Sequence, residues 1–253
     1  MILCIVQARV SSSRLPGKVI KPILGKPMIL HELERVQRSK HIDKIVLATS
    51  RDKSDDILAD VVAASGIDVY RGSLEDVLDR YYQCAKQYQP EHVVRITGDC
   101  PVIDWRIVDA VIEKHLAEGN EYTSLSEDYP DGLDTEVMVF DAMEQAWKMA
   151  NRASEREHVT LYIRNRADIF QCGQMMCPQK LNQMRWTVDE PQDFAFIQKV
   201  YEKLYPSNAD FAMQDVLNLI DKDPALQLIN SGIMRNEGLQ ISLLKEQGNN
   251  DSL

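Results

Sequence analysis

The chain has 253 residues, of which 44% are hydrophobic and 27% are charged, a composition typical of a soluble globular protein. Its formal net charge of −10 argues against general nucleic-acid binding, which needs a basic face, and against docking on anionic lipid. The five cysteines form no CxxC pair and no apolar run reaches the length of a membrane-spanning helix, so we expect a cytoplasmic protein with reduced thiols.

The first predicted element is a buried strand at residues 2–7, and the loop after it is the most informative stretch of the chain. The loop contains Arg9, Ser12, Arg14 and Lys18, and it has no acidic residue. Hydroxyls and backbone N–H groups at the end of a strand can donate to phosphate oxygens, while the cations offset the phosphate charge. The loop therefore predicts a polyphosphate site, although a solvated basic loop explains the spacing equally well. It matches neither the Walker A loop nor the GxGxxG fingerprint.

Strand-like and helix-like segments alternate through the first half of the chain. The predicted strands are 2–7, 44–49, 67–71 and 92–97, and the predicted helices are 27–40, 53–65, 74–88 and 104–118. This alternation predicts βαβ units and a parallel sheet with helices on both faces. Ligands of such sheets collect beyond the carboxyl ends of the strands, where we expect Arg9, Arg71 and Asp99.

The second half of the chain is less regular. The predicted strands are 134–140, a segment near 168–174, and 185–189, and the predicted helices are 141–150, 154–166, 191–204 and 211–221. No linker or repeat separates the two halves, so we expect one domain over residues 1–235. The polar tail, residues 236–253, is expected to be frayed.

Two aspartates follow runs of β-forming residues. Asp99 comes directly after Gly98, at the end of a predicted strand, and Asp189 closes the run RWTVD. Both have ordinary explanations, because Asp is common in β-turns and either Asp189 or Glu190 fits a helix N-cap before Pro191. Asp193 is expected to face solvent on the next helix.

Arg71, Ser73 and Asp76 follow the third predicted strand. Ser73 and Asp76 fit a capping pattern, with Ser73 as N-cap and Asp76 as the third helical residue. Arg71 has no such explanation.

An acidic cluster follows a glycine turn in the sequence PDGLDTEV. Its members are Asp131, Asp134 and Glu136, and a turn requires only the first of them. Carboxylates bind sugar hydroxyls and amines well but repel a carboxylate. Arg156, His158 and Arg164 can supply the positive charge that a bound carboxylate would need, although His158 is explained equally well as an ordinary helix histidine.

Six segments of the chain, taken in order, resemble the sugar cytidylyltransferases. They are RLPGK (14–18) with its preceding strand, VYRGSLEDVLDRYY (69–82), VVRITGDCPVID (93–104), DGLDTEV (131–137), EREHVTLYIRNR (155–166) and RWTVDEPQDF (185–194). The resemblance is to the 3-deoxy-manno-octulosonate and acylneuraminate cytidylyltransferases, and more closely to the spore coat polysaccharide branch of that superfamily. It implies a single-domain α/β nucleotidyltransferase fold, Rossmann-like and GT-A-like, with a mostly parallel central sheet flanked by helices.

The resemblance also implies roles for site residues. The nucleotide is assigned to Arg9, Ser12, Arg14, Lys18, Arg71 and Asp76. The acceptor is assigned to Asp131, Asp134, Glu136, Arg156 and His158. Catalysis is assigned to Arg9, Lys18 and Asp99, and Mg²⁺ is assigned to Asp99 and Asp189. The acidic cluster departs from the basic residues that relatives use for a 2-keto acid, which leaves the acceptor open.

We therefore expect a Mg²⁺-dependent enzyme that joins CTP to a sugar acid or a related small acceptor and releases pyrophosphate, for surface polysaccharide biosynthesis. Relatives are commonly homodimers, and we expect one here, with no membrane or nucleic-acid partner. Two alternatives remain at this point. One is a glycosyltransferase that uses a nucleotide-sugar donor, although the chain has a single aspartate in GDCP where such enzymes have a DxD pair. The other is a non-catalytic nucleotide-binding protein.

Overall fold

The computed structural model describes residues 1–233, 235, 239–240, 242–244 and 246. Within these residues the strands are β1 (Ile2–Gln7), β2 (Pro22–Ile23), β3 (Lys26–Pro27), β4 (Lys44–Ser50), β5 (Asp68–Gly72), β6 (His92–Thr97), β7 (Tyr122–Leu125), β8 (Glu136–Val139) and β9 (Cys172–Met175). The α-helices are α1 (Met28–Val36), α2 (Asp56–Ala64), α3 (Val77–Tyr88), α4 (Trp105–Glu118), α5 (Phe140–Met149), α6 (Ala153–Glu157), α7 (Leu161–Arg164), α8 (Pro191–Leu204) and α9 (Met213–Lys222). Short 3₁₀ helices occur at Lys18–Ile20, Lys53–Asp55 and Pro224–Ile229.

A seven-stranded sheet forms the centre of the molecule, in the order β5-β4-β1-β6-β8-β7-β9. Pairings of β1 with β4 and β6, of β4 with β5, and of β7 with β9 are parallel. Only β8 runs against its neighbours β6 and β7. The predicted α/β fold with a mostly parallel sheet is confirmed, and the four strands predicted in the first half are all present.

Both faces of the sheet are buried, because side chains along β1 alternate between two apolar clusters. Cys4 and Val6 pack on the face covered by α1, α2, α4, α8 and α9. Leu3 and Ile5 pack on the face covered by α3 and α5. A strand that is buried on both sides needs apolar residues at every position, which is why β1 is a continuous apolar run. In the part of the chain that the structure describes, no helix has the length and apolar character of a membrane span.

Two sequence-based assignments of secondary structure are wrong, and one strand is missing from them. Residues 185–189 are not a strand, and only an isolated bridge between Asp131 and Arg185 is found there. The predicted helix 154–166 is divided into α6 and α7, because Val159 has a φ of 43°, which a right-handed helix does not permit. The sequence also gave no indication of β7.

The N-cap assignment before α3 is also wrong. Asp76, not Ser73, caps α3, since its side chain accepts a hydrogen bond from the backbone N–H of Asp79 at 2.9 Å. Ser73 Oγ accepts from the backbone N–H of Asp76 at 3.0 Å, one turn earlier. The helix therefore begins three residues later than the capping pattern indicated.

The predicted tail, residues 236–253, is described only in part. Residues 239–240, 242–244 and 246 are helical, and the rest of the tail lies outside the described residues. Within the described part, Glu246 accepts hydrogen bonds from the backbone N–H and the hydroxyl of Ser154, at 2.6 and 2.8 Å. The domain boundary at residue 235 stays a prediction.

Gly98 is required at the end of β6 by space and not by backbone conformation. A Cβ at this position would lie 2.7 Å from Ala8 Cβ and 2.9 Å from Ile29 Cδ1. We expect Gly98→Ala to lower the free energy of unfolding by about 1–3 kcal/mol, the usual cost of overpacking. Urea denaturation measures this.

Gly232→Ala is the matched control, because a Cβ at Gly232 has nothing within 4 Å. We expect this control to stay within about 0.5 kcal/mol of the wild type. Equal unfolding midpoints for the two variants would contradict the steric argument.

Candidate active site

Two cavities open at the carboxyl edge of the sheet. The smaller, of about 290 Å³, lies under the basic loop and is lined by residues that include Gln7, Arg9, Ser12 and Lys18. The larger, of about 730 Å³, extends over β7, β8 and β9. The linings of the two cavities have five residues in common, which we call the common wall: Arg14, Thr97, Asp99, His158 and Asp189. The site therefore has two compartments that meet at a pair of carboxylates.

The Lys18 ammonium lies between these two carboxylates. Its Nζ donates to Asp99 Oδ2 at 3.0 Å, to Asp189 Oδ1 at 2.8 Å and to the carbonyl oxygen of Val188 at 2.7 Å. A lysine has three N–H donors, so these bonds use all of them. Burial by itself lowers the pKa of Lys18, but Asp99 and Asp189 outweigh it and the pKa is raised. Lys18 is thus a buried cation. Its partners are far away in sequence and are brought to it by the fold.

The other basic residues of the loop differ in their surroundings. Arg14 contacts Asp189 Oδ1 at 3.0 Å and Glu190 Oε1 at 3.6 Å. Ser12 Oγ accepts from the backbone N–H of Leu15 at 3.3 Å, which shapes the loop. Arg9 is exposed at the smaller cavity, and it forms no ion pair with the described residues. Arg9 is therefore open to an incoming anion.

The carboxylates of Asp99 and Asp189 fit a hard divalent cation. Both converge on one cation, the Lys18 ammonium, and both supply oxygen ligands. Among the described residues no group of three or more His, Cys, Asp or Glu side chains forms a complete metal cage. Mg²⁺ suits such a pair, because it is commonly held by one or two carboxylates together with substrate phosphates and water.

Arg185, which the sequence interpretation missed, holds Asp189 from the other side. Its guanidinium donates to Asp189 Oδ2 at 2.8 Å, to Asp131 Oδ2 at 2.7 Å and to Asp193 Oδ1 at 3.0 Å. Burial acts to raise the pKa of Asp189, but Lys18, Arg14 and Arg185 lower it below its usual value. Asp189 therefore stays ionised. The only sign of Arg185 in the sequence is its place at the start of the run RWTVD, residues 185–189.

Asp193 is buried, so the expectation that it faces solvent is wrong. Its Oδ2 accepts from the backbone N–H groups of Asp189 and Glu190, both at 3.0 Å. Glu190 is the N-cap of α8 and Asp193 completes the capping box. Of the two residues predicted as candidates for the N-cap, Glu190 has that place and Asp189 does not. The Asp189 carboxylate faces the site instead.

The acidic cluster lines the larger cavity, but its members already have partners. Asp134 accepts from Arg235 at 3.1 Å and from the backbone N–H of Gly132 at 3.0 Å. Burial and the Asp134 carboxylate raise the pKa of Asp131 to about 7, against the opposing effects of Arg235 and Arg185. Glu136 is buried and accepts hydrogen bonds from three groups: Arg95, Tyr122 and Thr160.

Three of the predicted binding residues line neither cavity. Arg156 forms a two-point ion pair with Asp76, through Nε to Oδ1 at 3.0 Å and through a terminal nitrogen to Oδ2 at 2.6 Å. Arg71 donates to the carbonyl oxygens of Ser50 and Asp52, both at 2.8 Å. The structure brings together Arg9, Ser12, Arg14, Lys18, Asp99, Asp131, Asp134, Glu136, His158 and Asp189 around the two cavities. Roles for Arg71, Asp76 and Arg156 stay predictions.

Known proteins resemble the chain over most of its length. The family model described as cytidylyltransferase matches residues 3–216. The spore coat polysaccharide biosynthesis protein SpsF of Bacillus subtilis is 33% identical, over 88% of this chain and 95% of that protein. A 3-deoxy-manno-octulosonate cytidylyltransferase of Anaeromyxobacter dehalogenans is 33% identical over 52% of this chain and 53% of its own length.

A solved structure of similar shape supports the same relationship. A cytidylyltransferase from Leptospira borgpetersenii superposes with a TM-score of 0.85 at 27% identity, over 89% of this chain and 96% of that one. Sequence and structure thus agree, and they favour nucleotidyl transfer over the glycosyltransferase and non-catalytic alternatives.

Replacing Lys18 tests whether its ammonium occupies a cation site. Lys18→Met removes the cation that Asp99 and Asp189 share. Arg14 and Arg185 remain beside Asp189, whereas Asp99 loses its ion-pair partner among the described residues. In metal-free buffer we expect the free energy of unfolding to fall by about 1–3 kcal/mol. Added Mg²⁺ is expected to raise the melting temperature more in Lys18→Met than in the wild type, because the freed carboxylates bind it.

Arg9→Met is the matched control, since Arg9 is exposed and makes no ion pair with the described residues. We expect the wild-type melting temperature and the wild-type Mg²⁺ response. If Lys18→Met behaves like this control in differential scanning fluorimetry, the carboxylate pair is not a cation site.

Proposed function

This chain belongs to the cytidylyltransferase family and is a nucleotidyltransferase, and from this we propose that it transfers the cytidylyl group of CTP to a sugar acid. The reaction would require Mg²⁺ and release pyrophosphate. One relative is named for spore coat polysaccharide biosynthesis and another for cytidylyl transfer to 3-deoxy-manno-octulosonate. These names support a sugar-acid acceptor and a product used in surface polysaccharide biosynthesis.

The observation that carries the proposal is the common wall of the two cavities. A reaction between two substrates needs two compartments that open onto one reacting centre. The smaller cavity has the basic loop and suits a triphosphate. The larger cavity has room for a second substrate, and Asp99 and Asp189 stand where the two meet. The α-phosphate of CTP would therefore lie at this wall.

The residues of the chain supply binding and charge for an in-line displacement. An acceptor hydroxyl in the larger cavity would lose its proton to solvent and attack the α-phosphorus. One P–O bond forms as the bond between the α-phosphorus and the oxygen that bridges to the β-phosphate breaks. Negative charge then develops on the departing pyrophosphate, where Arg9, Arg14 and Lys18 can stabilise it. Lys18 must be released at least in part from the two carboxylates to do so, since the three bonds of its Nζ use all of its donors.

Asp99 and Asp189 would hold Mg²⁺, which when bound offsets phosphate charge and favours ionisation of the attacking hydroxyl. Neighbouring side chains hold the Asp189 carboxylate in a fixed orientation. Arg185 orients Asp189 without closing the cavity, because its guanidinium donates to Oδ2 while Lys18 and Arg14 contact Oδ1. One oxygen of Asp189 is therefore kept on the side of the common wall.

A screen of substrates tests the proposed reaction directly. Pyrophosphate release is measured with each of CTP, UTP, ATP and GTP, in the presence of Mg²⁺, against 3-deoxy-manno-octulosonate, sialic-acid-type sugars, neutral sugars and polyol phosphates. We expect release only with CTP and a sugar acid, and a CMP-sugar by mass spectrometry. Turnover confined to a neutral sugar or to polyol phosphates would reject the sugar-acid assignment.

Substitution of the two aspartates tests the metal assignment. Asp99→Asn and Asp189→Asn each remove one charged ligand, so we expect kcat to fall by about a hundredfold or more. Melting temperatures should show that both variants fold. Asp60→Asn, on the exposed side of α2, serves as the control with wild-type kcat. Near-normal kcat in a folded Asp99→Asn variant at saturating Mg²⁺ removes this residue from the metal site.

The homodimer expected from the family resemblance and the cytoplasmic location expected from the cysteines remain proposals. Light scattering coupled to size-exclusion chromatography would report a mass of about twice 28.9 kDa for a dimer.

A further inference from the structure

Glu32 is a buried carboxyl group beneath the turn that carries Asp99. It lies on α1 and is 0% exposed. Its Oε2 accepts a hydrogen bond from the backbone N–H of Cys100 at 3.0 Å. Its Oε1 is buried without a hydrogen-bond partner among the described residues. Glu32 lines neither cavity, so it acts on the site only through what it touches.

The bond from Cys100 to Glu32 completes a clamp on one peptide group. The carbonyl oxygen of Asp99 belongs to the same peptide group, and it accepts from the backbone N–H of Val188 at 2.8 Å and from Thr187 Oγ1 at 3.2 Å. A trans peptide is planar, with its C=O and N–H on opposite sides. Glu32 and the segment before Asp189 therefore hold this plane from opposite sides, which fixes the backbone from which the Asp99 side chain extends.

The cost of burying Glu32 argues that its carboxyl has a use. An apolar side chain of similar size would fill the same space without the penalty of desolvating a polar group. Burial, and then the nearby Asp99 carboxylate, raise the pKa of Glu32 well above its usual value, although the Cys100 N–H and Lys18 oppose this. A neutral carboxyl still accepts a hydrogen bond through its carbonyl oxygen. The acceptor for Cys100 is thus the one contact of Glu32 that an apolar residue cannot supply.

We propose that Glu32 is a positioning residue, which holds the peptide group between Asp99 and Cys100 and thereby fixes the Asp99 carboxylate at the common wall. The significance of this role for turnover rests on the proposed function. The clamp itself does not, and it can be measured without any substrate.

Two variants separate the hydrogen bond from the volume of the side chain. Glu32→Leu keeps the volume and removes the acceptor, whereas Glu32→Gln keeps an acceptor oxygen. Leu33→Ala is the control, because Leu33 is a buried neighbour on α1 that is not part of the clamp.

The first readout is alkylation of cysteines in the full-length protein by N-ethylmaleimide, followed by peptide mass mapping. Cys100 is 1% exposed and reports on the turn, and Cys84 is 0% exposed in the other apolar cluster and reports on global unfolding. In Glu32→Leu we expect Cys100 to react about tenfold faster while Cys84 is unchanged, as in local opening. Glu32→Gln should match the wild type, and in Leu33→Ala the two cysteines should change together.

The second readout is pyrophosphate release. We expect kcat to fall at least about tenfold in Glu32→Leu with the KM for CTP little changed, since a shifted ligand affects the reacting centre more than binding. Glu32→Gln should restore kcat. If Cys100 stays protected in Glu32→Leu, or reacts in parallel with Cys84, the clamp is refuted. If the wild type shows no turnover, the proposed function fails, and the alkylation result still decides the clamp.

Discussion

The contact of Lys18 with Asp99 and Asp189 is the interaction around which the site is organised. It joins three regions of the chain, since the partners of Lys18 are 81 and 171 residues away. Charges buried in this way are tolerated only when each has a partner, because a single unpaired one is costly. The loop after β1, the turn after β6 and the segment before α8 must therefore come together for any of them to be stable. The parallel arrangement of β1 and β6 brings the first two to the same edge.

Sequence predicts those strands and helices whose pattern of apolar residues already shows which of their faces are buried. Strands buried on both faces need continuous apolar runs, and β1 and β4 have them, whereas Arg95 interrupts the apolar run of β6. The run 185–189 is also apolar in part, yet it is irregular, because Val188 donates to the carbonyl of Asp99 and not to a neighbouring strand. An apolar pattern indicates that a segment is buried. It does not show which groups accept the hydrogen bonds of that segment's backbone.

The same limit applies to the charged residues of the site. Asp99 and Lys18 could be identified because short motifs at strand ends point to one edge of the sheet. Arg71 satisfies the same criterion, but its long side chain turns back to backbone carbonyls. A charged residue in the first turn of a helix, such as Asp193, is expected to face solvent, yet here it pairs with the buried Arg185. Side-chain partners depend on three-dimensional neighbours, which a single sequence does not contain.

The reversed direction of β8 divides the molecule into two halves that can diversify separately. On one side, β1, β4, β5 and β6 carry the basic loop and the Asp99 turn; on the other, β7, β8 and β9 line the larger cavity. The halves meet along the short pairing of β6 with β8, from His92 with Val139 to Arg95 with Glu136. Substitutions on β7 and β9 can thus reshape the larger cavity while the contacts of Lys18 with Asp99 and Asp189 keep their geometry. Such a division lets the lining of one cavity vary in evolution while the lining of the other is preserved.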